Sequence, residues 1–249
     1  MKNYNGFYLM GNYPDSDTFI EAAVQGLKHF DFLEVGIPFS DPIADGTAIA
    51  DAAQKALENG VTFAGILDSL KKIRERVAPE KDIYLMTYAN IIFNHEETLR
   101  SDSFKALNVK GLIVPDVPSS EDFFFTGENS LGELEIITFL TPETEDETIR
   151  KASERSNSFI YFISTRGITG GSMKLDADTM AKIDLAKSSS TCPVVLGFGI
   201  RDSVSAKTAL EHCDGFIMGT VLIQTLNDKG LEGFKEFTDG LFGELGATD

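Results

Sequence analysis

The sequence predicts an α/β chain folded as a closed (β/α)8 (TIM) barrel, a single domain over residues 1–249, on three observations. Eight short apolar runs alternate with helical stretches along the whole chain, and strict alternation calls for crossover connections and a parallel sheet. The runs are continuously apolar rather than alternating, as strands covered on both faces must be. A length of 249 residues with 42% hydrophobic content suits one barrel, typically about 250 residues, better than two small domains. A doubly wound open sheet is the alternative architecture. In either, the site lies at the carboxyl ends of the strands, so strand-closing residues are the ones that matter.

In order along the chain, the first strand is read at 6–10, followed by a helix at 16–29 with Asp15, Ser16 or Asp17 as N-cap. The second strand covers 31–36. Its helix begins near Asp45 and ends at Asn59-Gly60, a C-cap signal. A further helix at 63–77 leads to the third strand at 83–88. A helix at 96–107 precedes the fourth strand at 111–114, and a short helix from about residue 119 precedes the fifth at 135–140. A charged helix at 145–155 leads to the sixth strand at 159–163. After a glycine-rich segment at 167–171 come a helix at 176–188, the seventh strand at 194–196, a helix at 202–211, the eighth strand at 215–218 and a closing helical region to about 244. No linker or low-complexity stretch divides the chain.

Composition narrows the function classes. A formal net charge of -17 argues against nucleic acid and anionic membranes, which bind basic surfaces. Cys192 and Cys213 form no metal-ligand spacing and read as packing residues in a reducing compartment. No apolar run approaches the roughly 20 residues of a membrane span, and the start of the chain lacks the apolar core of a signal peptide. A cytoplasmic protein is expected. There is no Walker-type Gly-Lys-Ser/Thr and no dinucleotide fingerprint after the first strand, which lowers NTPase and dehydrogenase readings. His29, His95 and His212 are scattered without ligand spacing, and no metal site is expected.

The most informative stretch is Leu33-Glu34-Val35-Gly36-Ile37-Pro38-Phe39-Ser40-Asp41-Pro42-Ile43-Ala44-Asp45-Gly46. A carboxylate inside an apolar strand costs several kcal/mol, by order of magnitude, unless something solvates it. Glu34 is therefore either one half of a buried ion pair or a functional group. Asp45, past the strand end, is either a helix N-cap or its partner in acid/base work. Such a pair divides its labour when apolar walls raise one pKa and the other group stays ionised, and the spacing leaves open which is which. Asp116, in Pro115-Asp116-Val117-Pro118, is a turn former or a site residue. Phe123-Phe124-Phe125 is a helix edge on the barrel or a patch for a partner.

Three glycine segments close consecutive strands: Thr165-Arg166-Gly167-Ile168-Thr169-Gly170-Gly171, Gly197-Phe198-Gly199-Ile200 and Met218-Gly219-Thr220. Glycine lets backbone N–H groups approach an anion, and a helix starting near Thr220 aims its N-terminus at one. Together they match the barrel phosphate site built after the seventh and eighth strands. A local nest of backbone donors can hold a phosphate on an acidic protein, because distant surface charge is screened beyond a Debye length of roughly 8 Å.

The Leu33–Gly46 stretch, with Leu85-Met86-Thr87-Tyr88-Ala89-Asn90, Pro115-Asp116-Val117-Pro118, Gly167-Ile168-Thr169-Gly170 and Gly197-Phe198-Gly199-Ile200 in that order, resembles the signature of the tryptophan synthase alpha chain family over nearly the whole chain. The resemblance implies a (β/α)8 barrel that cleaves indole-3-glycerol phosphate to indole and glyceraldehyde 3-phosphate without a cofactor of its own. It also implies a tryptophan synthase beta chain partner in an alpha2-beta2 heterotetramer, with pyridoxal phosphate in the beta chain. By the same resemblance Glu34 is the general acid/base, and Asp45 binds the indole N–H. Gly170, Gly199, Gly219 and Thr220 hold the phosphate, while Tyr161 and Phe198 flank the substrate. Loops 38–45 and 165–174 match segments that close the site and face the beta chain. Four departures stand out. Gly46-Thr47-Ala48-Ile49-Ala50 lacks the usual proline and glutamine, Thr220 replaces serine, Thr165-Arg166 precedes Gly167, and most of the family's leading helix is missing. Those at Thr47, Ala50 and Arg166 motivate an alternative: a weakly active or inactive subunit that binds a phosphorylated ligand and activates the beta chain. A third reading, an unrelated phosphate-binding barrel enzyme, rests on fold alone.

Overall fold

The computed structural model describes residues 3–43, 45–118, 121, 131, 134–164 and 175–246. The described strands are β1 (Gly6–Met10), β2 (Phe32–Gly36), β3 (Asp82–Met86), β4 (Gly111–Ile113), β5 (Glu135–Ile137), β6 (Phe139–Leu140), β7 (Ile160–Ile163), β8 (Val194–Gly197) and β9 (Gly215–Met218). All pair in parallel, in the order β5-β4-β3-β2-β1-β9-β8-β7-β6. The two ends of this series are neighbours in the chain: β5 and β6 are the fifth strand expected at 135–140, interrupted at Thr138. Its first half bonds β4 and its second half bonds β7. That stagger closes eight strands into a barrel.

Helices cover the outside: α1 (Ser16–Gly26), α2 (Thr47–Glu58), α3 (Phe63–Arg74), α4 (Ala89–Asn94), α5 (Glu96–Arg100), α6 (Asp102–Lys105), α7 (Asp146–Arg155), α8 (Ala177–Ser188), α9 (Ser203–His212) and α10 (Thr220–Gly246). Side-chain caps start several of them. Asp15 accepts from Thr18 N at 2.9 Å for α1, Thr62 from Gly65 N at 3.1 Å for α3, and Asp176 from Thr179 N at 2.9 Å for α8. Each such cap is worth about 1 kcal/mol. The helix expected at 96–107 is instead α5 and α6, broken where Ser101 leaves the helical region and caps α6 by accepting from Phe104 N; α4, ahead of them, was not foreseen. The Phe123–Phe125 patch and the short helix from residue 119 fall outside the described residues.

Side chains on the inner face fill the barrel in layers. Register sets Tyr8 beside Glu34 and Glu34 beside Tyr84. At the amino end of the strands Tyr4, Phe32, Tyr84 and Phe159 pack ring on ring, with centroids 4.7 Å apart for Tyr4–Phe32, 5.2 Å for Phe32–Phe159 and 5.0 Å for Tyr84–Phe159. Stacked and edge-on rings of this kind seal that end without polar groups left dry. Toward the carboxyl end, glycine makes room for larger rings. A Cβ on Gly36 would lie 2.0 Å from the Tyr8 hydroxyl oxygen, and one on Gly197 would lie 2.2 Å from the Tyr161 ring. Among the described residues no helix is long and apolar enough to cross a membrane.

Candidate active site

A cavity of about 420 Å³ opens at the carboxyl ends of the strands, and Glu34, Asp45, Tyr161, Phe198, Gly199, Gly219 and Thr220 all line it. Seven of the eight residues expected to form a site therefore meet at one place. The eighth, Gly170, lies outside the described residues, as do Arg166 and the rest of 165–174.

Glu34 faces inward from β2 because the period of two puts it on the side of Phe32 and Gly36. It is 1% exposed. One carboxyl oxygen, Oε2, accepts a hydrogen bond from the Tyr161 hydroxyl at 3.4 Å, and the other, Oε1, is buried with no partner among the described residues. No lysine or arginine pairs with it there, so the buried ion pair is excluded among the described residues. Burial, partly offset by the Tyr161 hydrogen bond and reinforced by the charge of Asp45, pushes its pKa up to about 8. Glu34 is thus a protonated carboxylic acid at neutral pH.

Asp45 is not the N-cap of α2. Gly46 holds that position, with no side-chain cap. The Asp45 carboxylate instead accepts from the Tyr88 hydroxyl at 3.3 Å through Oδ2, leaving Oδ1 buried without a partner among the described residues. Burial pushes its pKa up to about 6, with the Tyr88 hydrogen bond opposing the rise. The two carboxyls are therefore held apart in protonation: at pH 7 Asp45 is ionised while Glu34 is not. Tyr88 organises this side of the cavity. Its hydroxyl also accepts from Ile43 N at 3.2 Å, and its ring stacks on Phe39 at 4.7 Å, tying the loop after β2 to the end of β3.

The opposite wall is backbone. After β8 the chain turns through two consecutive left-handed residues, Phe198 at φ 69° and Gly199 at φ 80°. Successive N–H groups in such a turn form an anion-binding concavity. Gly219, Thr220 and Val221 bring the start of α10, the positive end of its dipole, to the same cavity.

Sequence reasoning missed Tyr8, Tyr88 and Arg201. Tyr8 and Arg201 line the cavity. The signal for Tyr8 was its inward position on β1 opposite Glu34, and for Arg201 its place directly after the glycine turn. Tyr88 stood in a quoted motif without a role. Asp116 proves to be a backbone fastener: both of its oxygens accept from Ala89 N, at 3.0 and 3.2 Å, at the start of α4. Among the described residues no cluster of three or more His, Cys, Asp or Glu side chains suits a metal ion.

The family model for the tryptophan synthase alpha chain matches residues 2–239. Among curated proteins, the tryptophan synthase alpha chain of Petrotoga mobilis is 36% identical over 221 residues, covering 85% of this chain and 83% of that protein. The alpha chain of Burkholderia thailandensis is 35% identical over 216 residues, covering 85% and 79%. Among solved structures, tryptophan synthase from Mycobacterium tuberculosis superposes with a TM-score of 0.86 at 28% identity, over 98% of this chain and 92% of that one. A chain of the tryptophan synthase a2b2 complex from Pyrococcus furiosus superposes with a TM-score of 0.83 at 25% identity, over 99% and 100%. Barrel, paired carboxyls and sequence agree: the chain belongs to the tryptophan synthase alpha chain family.

Proposed function

We propose that this chain is an alpha subunit of tryptophan synthase that cleaves indole-3-glycerol phosphate by a retro-aldol reaction to indole and glyceraldehyde 3-phosphate. One observation carries the reading: two buried carboxyls share one cavity, each with an oxygen that has no partner among the described residues, and burial raises the pKa of Glu34 above that of Asp45. Protonated Glu34 delivers its proton to C3 of the indole ring, and the resulting cation holds its N–H against ionised Asp45. The Glu34 carboxylate then takes the proton of the glycerol hydroxyl next to the ring. The carbon–carbon bond breaks, its electrons return to the ring, and the aldehyde carbonyl forms on the glycerol fragment. Each proton that leaves Glu34 is thus replaced in the same turnover. Asp45 stabilises charge that exists only after protonation, so it favours the transition state over the bound substrate.

In this reading the chain needs no cofactor of its own. Indole passes to a beta chain that carries pyridoxal phosphate and condenses indole with serine. Ile43 and Phe93, 67% and 58% exposed on segments that follow β2 and β3, supply apolar surface suited to such a partner. The intact pair of carboxyls weighs against a subunit that only binds a ligand. The test is indole release from indole-3-glycerol phosphate, measured with and without a beta chain. Turnover that Glu34→Gln abolishes is expected; no turnover by the reconstituted complex overturns the assignment.

A further inference from the structure

The lining of the cavity carries a charge problem. Asp45 and Asp202 face it beside the protonated Glu34, the whole chain has a formal net charge of -17, and Arg201 is the sole cationic residue among the described residues that line it. Backbone N–H groups and a helix N-terminus supply partial positive charge, but no full charge to set against a phosphate dianion. Glu34 Oε1 points to an occupant of the same space, being a polar atom buried without a partner among the described residues in a side chain 1% exposed.

Arg201 is built to answer that need. Its backbone is held: Arg201 N and Asp202 N both donate to Ser205 Oγ, at 3.0 and 3.1 Å, within the capping box that starts α9. The neighbouring acid is already engaged, since Asp202 accepts from Ser205 N at 2.8 Å and from Ser205 Oγ at 2.6 Å. The Arg201 side chain is exposed and makes no hydrogen bond or ion pair among the described residues, although, beside the Ser205 hydrogen bonds, its charge helps hold the Asp202 carboxyl below its ordinary pKa. A planar cation with five donors thus stands two residues beyond the Phe198-Gly199 turn, at the mouth of the wall where the phosphate nest lies.

We propose that Arg201 is a substrate-positioning residue that neutralises the phosphate of the substrate and sets the preference for a phosphorylated glycerol chain. The proposal rests on the functional reading above. Arg201 touches the end of the substrate remote from the breaking bond, so its contribution is to binding held equally in ground and transition states.

The test pairs turnover with anion binding in the full chain. In Arg201→Ala, KM for indole-3-glycerol phosphate rises about 10- to 100-fold with kcat nearly unchanged, and calorimetric binding of inorganic phosphate weakens by a similar factor. Arg201→Lys recovers part of both, and Glu34→Gln binds inorganic phosphate as the wild type does. Because the side chain is exposed, the thermal midpoint of Arg201→Ala stays within a few degrees of the wild type. If the wild type turns over substrate and Arg201→Ala leaves both KM and phosphate binding unchanged, the proposal is wrong while the lyase assignment stands. If the wild type does not turn over substrate yet loses phosphate binding on the substitution, the assignment falls and the anion role of Arg201 stands. Phosphate binding by neither protein overturns the role of Arg201.

Discussion

The Tyr161 hydroxyl donates to Glu34 Oε2 across 3.4 Å of buried space while Glu34 Oε1 has no partner among the described residues. One oxygen is held and the other is available to a substrate. Glu34→Gln keeps the shape and removes the titratable proton, so turnover falls by about 10³-fold or more, toward the upper range for a general acid/base. Single-turnover cleavage of indole-3-glycerol phosphate measures it, and a loss under tenfold would sink the role given to Glu34.

The two carboxyls predict a bell-shaped pH dependence of kcat/KM. Activity rises through about 6 as Asp45 ionises and falls through about 8 as Glu34 loses its proton. The limbs belong to the coupled pair rather than to isolated groups. Both hydrogen bonds lower the pKa they touch, so each removal moves one limb upward. Tyr161→Phe moves the alkaline limb to higher pH, and Tyr88→Phe moves the acidic limb to higher pH. Movement of the wrong limb in either variant contradicts the assignment.

Glu34 also links stability to pH. Its carboxyl lies near 4.5 in the unfolded chain and at about 8 in the folded one, so between those values the folded state holds the extra proton. The stability it contributes is complete below about 4.5 and is lost as pH rises to about 8. Glu34→Gln has no such loss. Its urea stability relative to wild type therefore grows across that window, by an amount on the order of a few kcal/mol. A gap that is constant with pH would refute this.

Gly197 leaves the space that the Tyr161 ring occupies. A Cβ there would sit 2.2 Å from the ring, so Gly197→Ala must move Tyr161 and with it the donor to Glu34. Overpacking of this kind costs about 1–3 kcal/mol. Denaturant unfolding should register that cost, together with a displaced alkaline limb in the pH profile.

Most of the fold and most of the site were legible in the sequence, for different reasons. Continuous apolar strands with regular spacing disclosed the barrel because burial on both faces leaves no other composition. Glu34 stood out because a charge in an apolar run has few explanations. Asp45 was ambiguous, since an aspartate before a helix reads equally well as a cap, and only the φ/ψ path that made Gly46 the N-cap separated the two. Tyr8 on β1 and Tyr88 just past β3 were opaque because a tyrosine at such a place is ordinary packing until its hydroxyl is seen near a carboxyl. Arg201 was hidden by its exposure, which is common for arginine and turns informative only beside a cavity whose other charges are negative.

The interruption at Thr138 has a bearing on all of this. One strand serves its two neighbours with different halves, so the circle of hydrogen bonds is completed by covalent backbone at a single residue. The first side chain past that residue, Phe139, meets Tyr161 edge-on at 4.8 Å and Phe198 at 6.1 Å. The joint where the ring is spliced therefore buttresses both the tyrosine that steadies Glu34 and the strained residue of the anion wall. The proposed proton chemistry and the proposed phosphate grip thus share one abutment.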